Sequence, residues 1–211
     1  MVVPTPLLSY LESHMGRSHI KAIKQPDDTT CGPAALQIAL RVLGVRKSLD
    51  TLITLCKTNR NGTSTAHMIQ AVNKLGLSCL VMEYTTLHHL QSALKYRPNE
   101  ARAVLVSYLY DLDDKDEPHP ESGHWATVAS YLASKSRIVL LDSSTGKRKS
   151  YDWADFRDRW YDYDYKRRKL KRRGRKFRLI HKWQAQLMLV VARDPESLPY
   201  FRIATARVFI P

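Results

Sequence analysis

Cys31 stands where a thiol can do chemistry. It follows a polar loop, Gln25-Pro-Asp-Asp-Thr-Thr, and opens the apolar segment Gly-Pro-Ala-Ala-Leu-Gln-Ile-Ala-Leu-Arg-Val-Leu-Gly. Leu36, Leu40 and Leu43 recur there at helical spacing, Pro33 suits a first helical turn and Gly44 a C-terminal cap. The unpaired N–H groups at a helix N-terminus favour an anion, so a thiol placed there is disposed to act as a nucleophile. A lone cysteine is more commonly a small core residue, and Cys56 and Cys79, inside apolar surroundings, are read that way.

Nucleophilic catalysis by a thiol also needs a base, a group to orient the base and donors for an oxyanion. His124 follows Gly123 and begins the apolar run Trp-Ala-Thr-Val-Ala-Ser-Tyr. Asp142 ends the next apolar run, Arg137-Ile-Val-Leu-Leu. If the two runs pair as an antiparallel hairpin, the start of one lies beside the end of the other, and His124 meets Asp142. Each alone has a plainer reading, a strand-starting histidine and a turn-starting aspartate. The hairpin lifts the pair above those readings. Gln25, shortly before Cys31, could offer its amide to an oxyanion together with the Cys31 N–H.

These residues must be positioned by their elements. Helical spacing or caps mark segments near 31–43, 48–56, 65–75, 86–96 and 152–160, and a short helix is expected at 7–15. Strands are expected at 77–82, 103–110, 123–131, 137–142 and 186–192, with a weaker one within 201–209, and a turn at 144–146. Helices come first and strands second, which predicts an α+β fold with an N-terminal helical layer packed on a mostly antiparallel sheet. The chain of 211 residues is read as one domain over 1–211, with a basic insertion at 161–183.

Composition narrows the function classes. With 44% hydrophobic residues the chain can bury a sizeable core, and no apolar run is long enough for a transmembrane helix. No signal peptide is expected. Three cysteines give no disulfide framework and no zinc-type pair, and His88, His89 and His119 lack a matching ligand set. No metal or cofactor is expected, and a reducing, cytoplasmic compartment is.

Gln25-Pro-Asp-Asp-Thr-Thr-Cys31-Gly-Pro-Ala, Gly123-His124-Trp and Leu-Leu-Asp142 together resemble the signature of the bacteriocin-processing cysteine peptidases. Those are papain-like enzymes that cleave leader peptides after double-glycine motifs, often as the N-terminal domain of an export transporter. Gly62-Thr-Ser-Thr, Lys74-Leu-Gly-Leu and Trp153-Ala-Asp-Phe-Arg-Asp-Arg-Trp are similar to further segments of that family. The resemblance implies a papain-like fold and a peptide or protein substrate. It implies Cys31 as nucleophile, His124 as general base and later acid, Asp142 as orienting group and Gln25 as oxyanion donor. The reaction would be amide hydrolysis through a thioester. Asp142 is followed by Ser143, where the family often has proline, and a stand-alone domain without a transporter is expected. An acyl transferase on the same fold would use the same residues, because an amine can capture a thioester.

One feature falls outside the resemblance. Residues 166–178 read KRRKLKRRGRKFR, ten of them Lys or Arg. Taking those ten charges from the net +14 leaves +4 on the rest of the chain. Lys166, Arg167, Arg168, Lys169, Lys171, Arg172 and Arg173 are candidate contacts for nucleic acid or another acidic partner. The plainer reading is a solvated loop. A catalytically silent module that binds such a partner is the alternative to an enzyme. Trp160-Tyr-Asp-Tyr-Asp-Tyr precedes the run. Its aromatics could stack on bases, its aspartates could pair with the arginines, or the alternation could simply form a strand with one aromatic face. The acidic loop at 111–121 is a solvated connection or a flap before His124.

Overall fold

The computed structural model describes residues 20–95, 101–169 and 177–211. The helix expected at 7–15 lies outside them.

The N-terminal half supplies α1 (Cys31–Val42), α2 (Leu49–Leu55) and α3 (Thr65–Lys74). Ser48 and Ser64 cap α2 and α3 by accepting from the N–H groups of Thr51 and His67. Strand β1 (Ser78–Met82), helix α4 (Leu87–Leu94) and strand β2 (Arg102–Leu109) follow. Then come β3 (Gly123–Leu132), β4 (Arg137–Asp142), β5 (Lys147–Asp152) and helix α5 (Trp153–Arg159). The chain ends with β6 (Tyr161–Lys169), β7 (Phe177–Ala185), β8 (Met188–Ala192) and β9 (Arg207–Phe209).

Seven strands form one sheet in the order β5-β4-β3-β2-β8-β1-β9, every neighbouring pair antiparallel. Side-chain alternation divides the core. Ala103, Leu105, Leu189 and Val191 face α1–α3, while Val104, Val106, Tyr108, Met188 and Val190 face α4 and α5. Both faces of β2 are therefore covered, which is why all eight of its residues are buried. Alanines 35 and 39 bring α1 close to the sheet, and the Thr127 hydroxyl donates to the Ala35 carbonyl at 2.8 Å.

Strands β6 and β7 form a separate two-stranded sheet. Of the readings open for Tyr161–Tyr165, the strand with an aromatic face is the one that forms. Strand β5 was hidden in sequence because only Tyr151 of its six residues is buried. Among the described residues, no helix is long and apolar enough to cross a membrane.

Candidate active site

The first residue of α1 is Cys31, and its side chain is nearly buried, 6% exposed. Its backbone N–H, like the first N–H groups of any helix, has no carbonyl one turn back to bond. The turn at 59–63 packs closely on this helix start. A Cβ added to Gly32 would lie 2.7 Å from Thr63 Cβ, so only glycine fits there. The Trp125 indole fixes that turn by donating to the Thr63 carbonyl at 3.0 Å.

His124 is the second residue of β3, and Asp142 is the last of β4. The hairpin forms, with Thr127 opposite Leu141. Continuing that register sets Asp142 beside Ala126, two residues from His124 and on the same face. His124 Nε2 lies 3.1 Å from Asp142 Oδ1, both side chains buried. That contact leaves Nδ1 as the ring nitrogen for the sulfur of Cys31, which is a hydrogen-bond partner of His124. Burial opposes the imidazolium, but the Asp142 carboxylate and the Cys31 sulfur outweigh it and lift His124 to about 9.

Asp142 is held on all sides. Its carboxylate accepts from the Ser144 N–H at 3.1 Å, the Thr145 N–H at 3.2 Å and the Thr145 hydroxyl at 2.7 Å. Burial would raise its pKa, yet the bonds from His124 and Thr145 bring it down to about 2. The rings of Tyr108 and Tyr110 pack on His124, with centroids at 5.8 and 4.9 Å, and shield the pair from water. Neither tyrosine was legible as a site residue. The signal was that β2 pairs with β3, Tyr108 opposite His124.

Gln25 lies at the same end of the sheet. Its N–H donates to the Ser143 carbonyl at 2.8 Å, and the Ser143 hydroxyl donates to Gln25 Oε1 at 2.8 Å. One Nε2 hydrogen goes to the Asp27 carbonyl at 2.7 Å, which leaves the other to offer. Ser143, the residue after Asp142, thus ties Gln25 to the end of β4.

A cavity of about 1170 Å³ opens from Cys31 between the 59–63 turn and the β6–β7 hairpin. Asp162 lines it and accepts from the Ser107 hydroxyl. A Cβ on Gly123 would collide with that carboxylate, so the glycine before His124 makes room for Asp162. Burial, reinforced by Asp164, lifts Asp162 to about 6.

The structure brings together Cys31, His124 and Asp142, with Gln25 joined through Ser143. The basic residues stand apart from that group. Lys166, Arg167 and Arg168 are exposed on β6, and Arg167 reaches the cavity wall. Lys169 ends β6, while Lys171, Arg172 and Arg173 lie outside the described residues. Among the described residues, Asp162 accepts from the Ser107 hydroxyl and Asp164 from the Thr65 N–H at 3.1 Å.

No curated protein sequence matches this chain. Among solved structures it is similar to the peptidase domain of Streptococcus ComA, a bi-functional ABC transporter involved in a quorum-sensing pathway. The TM-score is 0.55 at 17% identity, over 83% of this chain and 100% of that one. It is also similar to a double glycine motif protease from an AMS/PCAT transporter, solved with its leader peptide. There the TM-score is 0.50 at 13% identity, over 83% of this chain and 95% of the other. At these identities the likeness is one of fold, and nothing in these matches points to nucleic acid. The model of the peptidase C39 family matches residues 19–164. With more than half its length in that match, the chain belongs to the peptidase C39 family and is a cysteine peptidase.

Proposed function

We propose that the chain hydrolyses a peptide bond through a thioester on Cys31. The observation that carries this is one imidazole with two partners: His124 bonds Asp142 through Nε2 and has the Cys31 sulfur as its other partner, at a helix N-terminus. The Cys31 thiolate attacks the scissile carbonyl carbon, forming a C–S bond and an oxyanion. The second Nε2 hydrogen of Gln25 and the Cys31 N–H receive that oxyanion. His124 gives its proton to the leaving nitrogen as the C–N bond breaks. It then takes a proton from water, which attacks the thioester and releases the acid and the thiol. Asp142 stays ionised throughout and holds the ring in place.

The substrate proposed is a polypeptide. The solved neighbour that holds a leader peptide makes a leader-type sequence with a glycine pair the first to try. We place the protein in a reducing compartment, consistent with three free cysteines. We also read 161–183 as an insertion in a single domain. The matched residues stop at 164, inside β6, which supports that reading.

The test is alkylation by iodoacetamide with the modified cysteine mapped by mass. Cys31 should react selectively below neutral pH in the wild type and lose that reactivity in His124→Ala. Reaction no faster than a free thiol would remove the basis for catalysis.

A further inference from the structure

We propose that Lys149 is a positioning residue for the Cys31–His124 pair, acting through the ring of Tyr110, which its ammonium holds against the imidazole. The proposal rests on the peptidase reading and adds to it a residue outside the cavity.

Strand geometry places Tyr110. Tyr108 stands opposite His124 in the β2–β3 pairing, and alternation returns Tyr110 to the same face. The two rings are not held alike. Tyr108 is fully buried, whereas Tyr110 lies just past the end of β2 and packs on the core from its margin, partly buried. Its backbone is fixed: the N–H donates to the Ser122 carbonyl at 2.9 Å, and the carbonyl accepts from Arg159 Nη1 at 3.1 Å. Its ring meets His124 with centroids 4.9 Å apart, and its hydroxyl end lies by Asp142 and Ser144. A side chain at the rim that covers a buried pair needs something to keep it there.

Lys149 supplies it. Its Nζ stands 3.6 Å from the centroid of the Tyr110 ring and 5.0 Å from that of Tyr151. A cation over an aromatic face is attracted by the ring quadrupole, more strongly where water is partly excluded. Lys149 also stands out on its strand. Lys147, Arg148 and Ser150 are exposed, while Lys149 is partly buried. Burying an ammonium is costly unless it gains a partner. Among the described residues Lys149 has no carboxylate within ion-pairing distance, so the two rings are the partners it gains. Its charge reaches Asp142 only from farther off. Neither Lys149 nor Tyr110 lines the cavity that opens from Cys31. What they do for the reaction therefore passes through His124 and Asp142, not through contact with a peptide.

Two readouts on the full chain test this. One is the rate of Cys31 alkylation by iodoacetamide below neutral pH. The other is exchange with water of the His124 Nε2–H proton, followed by NMR on protein labelled at its histidine nitrogens. Lys149→Met should slow the alkylation about fivefold and speed the exchange by a similar factor, the range of a partly desolvated cation–π contact. Lys149→Arg keeps a cation over the ring and should bring both within about twofold of wild type. Tyr110→Leu should match Lys149→Met, and combining the two should change neither readout further. Lys149 lies on the edge strand β5, and Lys149→Gln is the second replacement should methionine disturb folding. Wild-type values in Lys149→Met and Lys149→Gln would overturn the proposal. So would a loss that persists in full without the Tyr110 ring, because the Lys149 charge would then act on Asp142 directly. Alkylation of wild-type Cys31 no faster than a free thiol would instead defeat the peptidase reading, so the two failures can be told apart.

Discussion

The Ser143 hydroxyl donates to Oε1 of Gln25 at 2.8 Å, so the residue after the buried aspartate decides which way the Gln25 amide faces. With Oε1 engaged, the Nε2 end is the one left to meet an oxyanion. Ser143→Ala should remove that bias and lower kcat about fivefold with KM unchanged, the worth of one hydrogen bond of about 1 kcal/mol. Gln25→Ala should cost roughly 10²–10³ in kcat. Steady-state kinetics on a cleaved peptide decides it: a change in KM alone would place Ser143 in binding instead.

His124 should set the alkaline limb of activity. The imidazolium must persist to protonate the leaving nitrogen, and it is held to about 9. Activity should therefore fall above pH 9. Asp142→Asn keeps an acceptor for the ring but removes the charge, so the limb should move toward the ordinary histidine range. A limb that stays at pH 9 in the variant would show that Asp142 is not what raises His124.

The same pair should shape stability. His124 is raised in the fold, so its contribution is complete below its ordinary 6.5 and is lost as pH rises through 9. Asp142 is lowered, so its contribution is present above its ordinary 3.8 and is lost as pH falls through 2. The Tm difference between wild type and Asp142→Asn should be widest between those two ordinary values. It should be worth about 2–3 kcal/mol there, each shifted pKa unit counting for about 1.4 kcal/mol. Thermal melts across pH would show a flat difference if the pair contributes nothing.

Asp162 should behave in the opposite sense. Its pKa is raised from 3.8 to about 6, mainly by burial, so the fold favours the protonated form. That preference is complete below 3.8 and lost as pH rises through 6. At pH 8, Asp162→Asn should therefore stabilise the protein by about 1–3 kcal/mol, and the gain should vanish near pH 4. A variant that is less stable at pH 8 would mean the Ser107 bond outweighs the burial of the charge.

The Cys31 site was legible because local rules placed its parts. A helix N-terminus, a strand start and a strand end can each be read over a few residues, and the hairpin register joined the last two. Ser143–Gln25 and Ser107–Asp162 were not legible, since they join residues 118 and 55 positions apart. Only the closed sheet brings those together. Strand β7 was missed for another reason: its charges suggested a solvated loop, while the alternation Leu179, His181, Trp183 carried the strand signal. The paired aspartates of β6 gave no hint that they face the body and line the cleft.

Gln186 donates its N–H to the Trp160 carbonyl at 2.8 Å, so the chain leaves for the hairpin and returns at one point. A hairpin with a single root can be lengthened, shortened or exchanged over evolutionary time without shifting β8 in its register. Variation among descendants of this chain should then concentrate between those two residues, away from the elements that carry Cys31, His124 and Asp142.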